Sequence, residues 1–306
     1  MPKMLKRTNP GVVAADCEIL SGRLPVFLDN APTPLDLRFR LLGFSVRVSP
    51  WFWLTMFILG GDTYNDREYG LLASLVWIVC GFVSILAHEL GHAIAAGWFR
   101  SRGRIVLVPF GGAMEYLDGP PPSGWRRLTV SLMGPGAGFA FLLVLIVTQL
   151  STGWATQHSM LTLIFFYLVV QNFYWSLLNL IPVWPLDGGY AMREIFHILG
   201  VRKPDHLAHT VSIAVAAVLV VMGILGRGNP NHPLLPQIPA IDVVSLLVLG
   251  RLQLGLVPFI PGVFMMIWMG LMGFRNWQVL QSLNRTQRTW DDDRDDDNPP
   301  WLRGRR

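Results

Sequence analysis

The sequence predicts an all-α polytopic membrane protein of about six transmembrane helices, with a small β-hairpin or sheet at the cytoplasmic membrane edge. Three observations predict it. First, the 306 residues are 52% hydrophobic and only 15% charged, against about 25% charged in ordinary soluble domains; mean hydropathy is +0.41. Second, the apolar content is bunched. Residues 128–186 contain no Asp, Glu, Lys or Arg, a run that two membrane spans joined by a short turn require. Third, the basic residues are sorted. The 25 Lys and Arg fall in residues 1–50, 100–127, 193–203 or from Arg275 onward, save Arg67, Arg227 and Arg251. Under the positive-inside rule those stretches share the cytoplasmic side, with both termini and an even number of crossings.

The elements follow in order. Residues 1–36 mix Pro, Gly and charge and read as a polar arm without the apolar core of a signal peptide. Leu37–Val48 alternates apolar residues with Arg38, Arg40 and Arg47, and Gly43 supplies a turn. That pattern predicts a short hairpin or edge strand. Pro50–Gly60 is apolar but short for a span of ~20 residues. Gly70–Phe99, Leu128–Leu150, Met160–Ile181 and His206–Gly226 are predicted spans. Val243–Gly250 is too short to cross, and Pro258 and Pro261 interrupt the approach to Phe259–Phe274. A re-entrant or broken segment followed by a sixth span is expected there. Asp291–Asp297 is a charge run before Pro299 and Pro300 and reads as a solvated, disordered end. The net charge of +5 borders the spans and forms no separate basic domain, so a nucleic-acid partner is not expected.

The chemistry concentrates in His88-Glu89-Leu90-Gly91-His92, deep in the second apolar segment. Residues four apart share a helix face, so both imidazoles reach one ion and Glu89 reaches a water on it. This is the HExxH zinc pattern, with the glutamate as general base. A charge at the bilayer centre costs ~2.5–3.5 kcal/mol on insertion scales and marks function. The plain alternative is a pair of satisfied core histidines with a salt-bridged Glu89, but no Lys or Arg stands nearby in sequence. Cys17 and Cys80 are too far apart for a CxxC site, so a metal must use His and carboxylate.

A catalytic zinc needs a third protein ligand. Glu115, Asp118, Asp187 and Glu194 are the downstream candidates. Glu115 and Asp118 fall in a Gly/Pro-rich stretch, Phe110–Gly124, that reads as a loop. Asp187 follows Pro182 and Pro185, which end or kink the preceding helix, and precedes Gly188 and Gly189, which permit close backbone approach. From the residues alone Asp187 is equally a ligand or an ordinary helix N-cap.

HELGH in one span, with Asn179, Pro182, Leu186, Asp187 and Gly188 closing a later one, resembles the site-2 protease family of intramembrane metalloproteases. Val108-Pro109-Phe110-Gly111-Gly112 resembles that family's loop after the zinc helix, and Met133-Gly134-Pro135-Gly136 its Gly-Pro signature. The resemblance covers about residues 40–200. It implies one Zn2+ per chain held by His88, His92 and Asp187, with Glu89 as catalytic acid/base. It implies a single-span transmembrane protein as substrate and the lipid bilayer as surroundings. The chain so read has a polar arm (1–36), a catalytic membrane core (37–200), C-terminal transmembrane helices (201–285) and a charged disordered tail (286–306). Neither a PDZ insertion nor a nucleotide-sensing domain is visible, which leaves substrate selection open.

Further residues receive secondary expectations. Asn172, Ser176 and Asn179 recur at helical spacing; Asn179 is read as a hydrogen-bond donor to substrate or oxyanion, Asn172 and Ser176 as interhelical glue. Arg104–Phe110 reads as a strand that forms a small sheet with Leu37–Val48. Phe110, Gly111 and Gly112 then offer an edge to an unwound substrate by strand pairing. Gly134 and Gly138 are read as helix-packing positions. A second metal site at His206 and His209 finds no carboxylate but Asp205 and is not favoured. The competing functions are a membrane-anchored zinc protease with a cytosolic site, which needs a glutamate such as Glu115 as third ligand, and a zinc transporter or a catalytically inactive membrane scaffold. An intact Glu89 argues against the inactive scaffold.

Overall fold

The computed structural model describes residues 32–60, 69–109, 111–118, 123–229, 237–242, 246, 254–258 and 262–296. Strands β1 (Leu37–Leu41) and β2 (Phe44–Val48) form the predicted hairpin, antiparallel with Leu41 opposite Phe44. Its turn is Leu42 and Gly43, both at positive φ (49° and 86°), the backbone that two-residue hairpin turns demand. Helix α1 (Pro50–Leu59) starts on Ser49, whose hydroxyl accepts the Trp51 N–H, and on Pro50 at its first position. Helix α2 (Leu71–Trp98) returns the chain to β3 (Arg102–Val108), which pairs with β2 in parallel.

β4 (Gly111–Asp118) then pairs antiparallel with β3, giving the sheet order β1-β2-β3-β4. The stretch expected to be a loop, Phe110–Gly124, thus contains a strand across Gly111–Asp118. The reason is non-local: its register is set by β3, with Glu115 opposite Arg104 and Gly112 opposite Leu107. The sheet packs on α1 and α2 through Val46, Val48, Ile105 and Leu107, none of them exposed, against Phe52, Ile85 and Leu86. Burying each such aliphatic side chain contributes about 1.5–3 kcal/mol.

Helices α3 (Trp125–Thr152) and α4 (Ser159–Asn179) are joined by a single 3₁₀ turn at Trp154–Thr156. α3 ends at Gly153, in the left-handed region, whose N–H donates to the Gln149 carbonyl. The His158 side chain accepts the Met160 N–H to start α4. Helix α5 (Asp187–Ile198) is short, α6 (Pro204–Gly228) is long, and β5 (Gln237–Ile241) pairs antiparallel with β6 (Leu254–Pro258). The two strands flank Val243–Gly250, where a re-entrant segment was expected and of which only Leu246 is among the described residues. Helix α7 (Val263–Asp296) closes the described chain. It continues past residue 286, where the charged tail was expected to be disordered. Nothing between Gly273 and Pro299 is Gly or Pro, so no residue breaks the helix there.

Among the described residues four helices, α2, α3, α4 and α6, are long and apolar enough to cross a membrane; α1 is a shorter apolar helix. On α2, Leu71, Leu75, Val79 and Val83 are 62, 52, 58 and 38% exposed. An outward apolar stripe at four-residue spacing is what lipid, rather than water, solvates. The chain is an integral membrane protein.

Candidate metal centre

Helix α2 buries its polar residues instead of snorkelling them. His88, Glu89 and His92 on α2 are 2, 4 and 7% exposed. The link after α4 turns back at Pro182–Leu186, and α5 opens with Asp187 as its first residue. Asp187 is therefore not the N-cap, which is Leu186, and its side chain makes no capping bond. It faces the imidazoles instead. Its Oδ2 lies 3.0 Å from His88 Nε2, its Oδ1 3.2 Å from His92 Nε2, and the two Nε2 atoms are 3.3 Å apart.

The other ring nitrogen of His92 sits 2.7 Å from the Val130 carbonyl on α3. A carbonyl only accepts, so Nδ1 carries the proton and Nε2 turns its lone pair toward Asp187. Such a partner fixes tautomer and ring orientation in metal-binding histidines. Room for the ring comes from Gly134: a Cβ there would stand 2.1 Å from His92 Nε2. Glycine at Gly188 and Gly189 is needed for the same kind of reason. Their Cβ atoms would meet the Leu180 carbonyl oxygen at 2.2 Å and the Trp184 nitrogen at 2.3 Å, so α5 lies directly on the link that carries it.

Glu89 is one residue round the helix. Its ligating atom and those of His88 and His92 lie within 4.8 Å of one another. The backbone of β4 presses against its carboxyl, where a Cβ on Gly112 would come to 2.6 Å from Oε1. Gly112 is thus brought to Glu89, Gly111 packs beside the Trp175 ring, and Phe110 lies outside the described residues. One Asn179 N–H donates to the Trp175 carbonyl of its own helix at 3.0 Å. Asn172 donates to Ser84 across to α2 at 2.8 Å, and Ser176 packs on Gly138.

Two of the rival carboxylates, Glu115 and Glu194, are committed elsewhere. Glu115 holds Arg104 at 2.6 Å and Arg47 at 3.6 Å on the sheet. Glu194 accepts the Gly124 N–H at 3.0 Å and faces Arg127 at 3.6 Å. His206 and His209 turn to Asn284 and Asn276 respectively, so they do not form a joint site with Asp205, which pairs with Arg193 and His197.

Residues 147–223 match the sequence profile of Peptidase family M50. The match contains Asp187 but ends short of the histidines on α2. Two curated relatives are similar: a zinc metalloprotease of Methanocaldococcus jannaschii and stage IV sporulation protein FB of Bacillus subtilis. The first is 28% identical over 188 residues, 59% of this chain and 51% of that protein. The second is 27% identical over 175 residues, 55% and 52%. The chain thus spans about half the length of these relatives. A solved structure, a site-2 protease from Methanocaldococcus jannaschii, aligns over 79% of this chain and 94% of its own at 19% identity, with a TM-score of 0.46.

The donor set fits zinc, the metal named for the first of these relatives. Ligands at the corners of a tetrahedron, each about 2.0–2.1 Å from zinc, stand about 3.3 Å from one another. Here the two Nε2 atoms are 3.3 Å apart, and each has one Asp187 oxygen beside it, Oδ2 at 3.0 Å from His88 and Oδ1 at 3.2 Å from His92. Two imidazoles and one carboxylate leave a fourth position open, as catalytic zinc sites do. Sequence reasoning did not assign the Val130 carbonyl and Gly134 to this centre. Gly134 carried a signal, a small residue in an apolar helix, but that signal does not say which neighbour needs the space.

Proposed function

We propose that this chain is an intramembrane zinc endopeptidase that cleaves peptide bonds within or near transmembrane segments of single-span membrane proteins. His88, His92 and Asp187 would hold one zinc ion. When bound, zinc supplies a Lewis acid and lowers the pKa of a water to near neutrality. Glu89 takes the proton from the attacking water and returns it to the leaving amine. Its burial at 4% exposure keeps bulk water from competing for that proton. The observation that carries the reading is the meeting of both Nε2 atoms with the two oxygens of one carboxylate, 99 residues away from His88.

In this reading six crossings comprise α1 with its flanks, the four long apolar helices and the first half of α7. Both termini and the four-stranded sheet lie on the cytoplasmic side, where the Lys and Arg collect. The catalytic core is 37–200, followed by helices through 285. A helical substrate must unwind before its carbonyls are open to attack. Among the described strands β4 stands at the edge of the sheet, and Gly112 on that strand touches Glu89. An unwound substrate strand added at Phe110, Gly111 and Gly112 would therefore be fed to the carboxyl. Asn179 is assigned to a substrate hydrogen bond through its remaining N–H.

The test is cleavage of a single-span reporter in proteoliposomes by wild type and Glu89→Gln. Cleavage by wild type alone is expected; equal cleavage by both removes the enzymatic claim.

A further inference from the structure

Trp184 stands three residues before Asp187 in the link between α4 and α5. Its neighbours close local turns: Val183 N–H donates to Ile181 O at 2.7 Å, and Leu186 N–H to Val183 O at 2.8 Å. Trp184 is held instead by side chains from far along the sequence. Its N–H donates to Ser212 Oγ on α6 at 3.0 Å, and its carbonyl accepts from Asn276 Nδ2 on α7 at 2.7 Å. Ser212 and Asn276 are both 0% exposed.

Neither side chain is free to turn. The Ser212 hydroxyl gives its one proton to the Ala208 carbonyl at 2.8 Å, which leaves its lone pairs for Trp184. Asn276 also donates to the Met272 carbonyl at 2.8 Å, and its Oδ1 lies 2.7 Å from His209 Nδ1. That oxygen is an acceptor, so His209 donates. The Trp184 ring meets the His209 ring edge-on with centroids 5.6 Å apart. Around this cluster Val183 and Leu186 pack against Ala216, Leu219, Met269 and Met272. In such apolar surroundings an unmet N–H or carbonyl is costly, so the Trp184 backbone has one good seat. The first turn of α5 rests on that seat through Gly189.

We infer that Ser212 and Asn276, with His209 behind Asn276, are positioning residues that set the Asp187 carboxylate in place for the metal. Asn276 lies beyond the matched residues 147–223, so the last helix takes part in a site whose ligands it does not supply. The inference rests on the proposed zinc site.

The test uses the full chain in detergent, with zinc affinity measured by chelator competition and the visible spectrum of the cobalt(II)-substituted protein as a second readout. Asn276→Asp keeps the acceptor for His209 but sets an oxygen against the Trp184 carbonyl. Ser212→Ala deletes one oxygen and is the milder variant should the first fail to fold. Each is expected to weaken zinc binding about 10–100-fold, the range for residues that orient ligands, and to shift the cobalt bands. In an Asp187→Ala background neither should weaken it further, because the effect runs through Asp187. Affinities within about twofold of wild type, a spread ordinary additivity errors cover, with unchanged cobalt spectra, overturn the inference alone. So does an equal loss in the Asp187→Ala background, which marks general loosening. A wild type that holds no zinc, or holds it regardless of Asp187→Ala, overturns the zinc site and the inference with it.

Discussion

At the residue scale the centre separates two roles that one motif joins. His88 and His92 direct Nε2 atoms at Asp187, while Glu89 sits against Gly112. Glu89→Gln is therefore expected to lower cleavage roughly 10²–10⁴-fold, the usual worth of a general acid–base, with zinc content unchanged by metal analysis. His88→Ala and His92→Ala should each lose the metal as well as the activity, and Asp187→Ala should lose the activity and hold zinc far more weakly through the two imidazoles that remain. Gly134→Ala supplies a subtler probe. Its Cβ would fall 2.1 Å from His92 Nε2, whereas nothing lies within 4 Å of a Cβ on Gly136 two residues on. Faster zinc loss on dialysis against a chelator is expected for Gly134→Ala and not for Gly136→Ala. Equal loss from both would mean that the His92 cradle is unimportant.

At the element scale the helices around the centre meet backbone to backbone. A Cβ on Gly91 would lie 2.2 Å from the Met133 carbonyl oxygen, and a carbonyl in a helix cannot swing aside as a side chain can. Gly91→Ala must part α2 from α3. Overpacking of this kind costs about 1–3 kcal/mol, read as earlier thermal unfolding in detergent; Gly97→Ala, with open space around it, is the control that should not move. The helices were legible because each apolar run meets the length rule by itself. β4 was not. Gly111–Asp118 contains two glycines and two acids, and only pairing with Ile105, Val106 and Leu107 makes it a strand.

At the scale of the whole molecule the sidedness of the chain is the quantity to measure. Positions near both termini and Gln157, between α3 and α4, should lie on opposite sides of the membrane. Single cysteines at Lys3, Gln157 and Arg303, in a chain with Cys17 and Cys80 replaced, can be labelled with an impermeant maleimide in sealed inverted vesicles. Lys3→Cys and Arg303→Cys should react and Gln157→Cys should not. Reaction of all three, or of Gln157→Cys alone, would defeat the proposed orientation.

What the sequence determined by itself was the membrane-embedded helical class, the hairpin at Leu37–Val48 and the α2 face shared by His88 and His92. Each depends on spacing within one element, where the helix repeat, the strand alternation or the thickness of a bilayer acts on neighbours in the chain. The choice among four carboxylates was of another kind. Asp187 reads as an N-cap as readily as a ligand until α5 is folded onto its link, and Glu115 is set apart only by its pairing with Arg104. Tertiary structure decided which carboxylate meets the two imidazoles, because Asp187 reaches them only when α5 is seated against α3. That seating depends on glycine contacts and on buried bonds from α6 and α7 that no local pattern encodes.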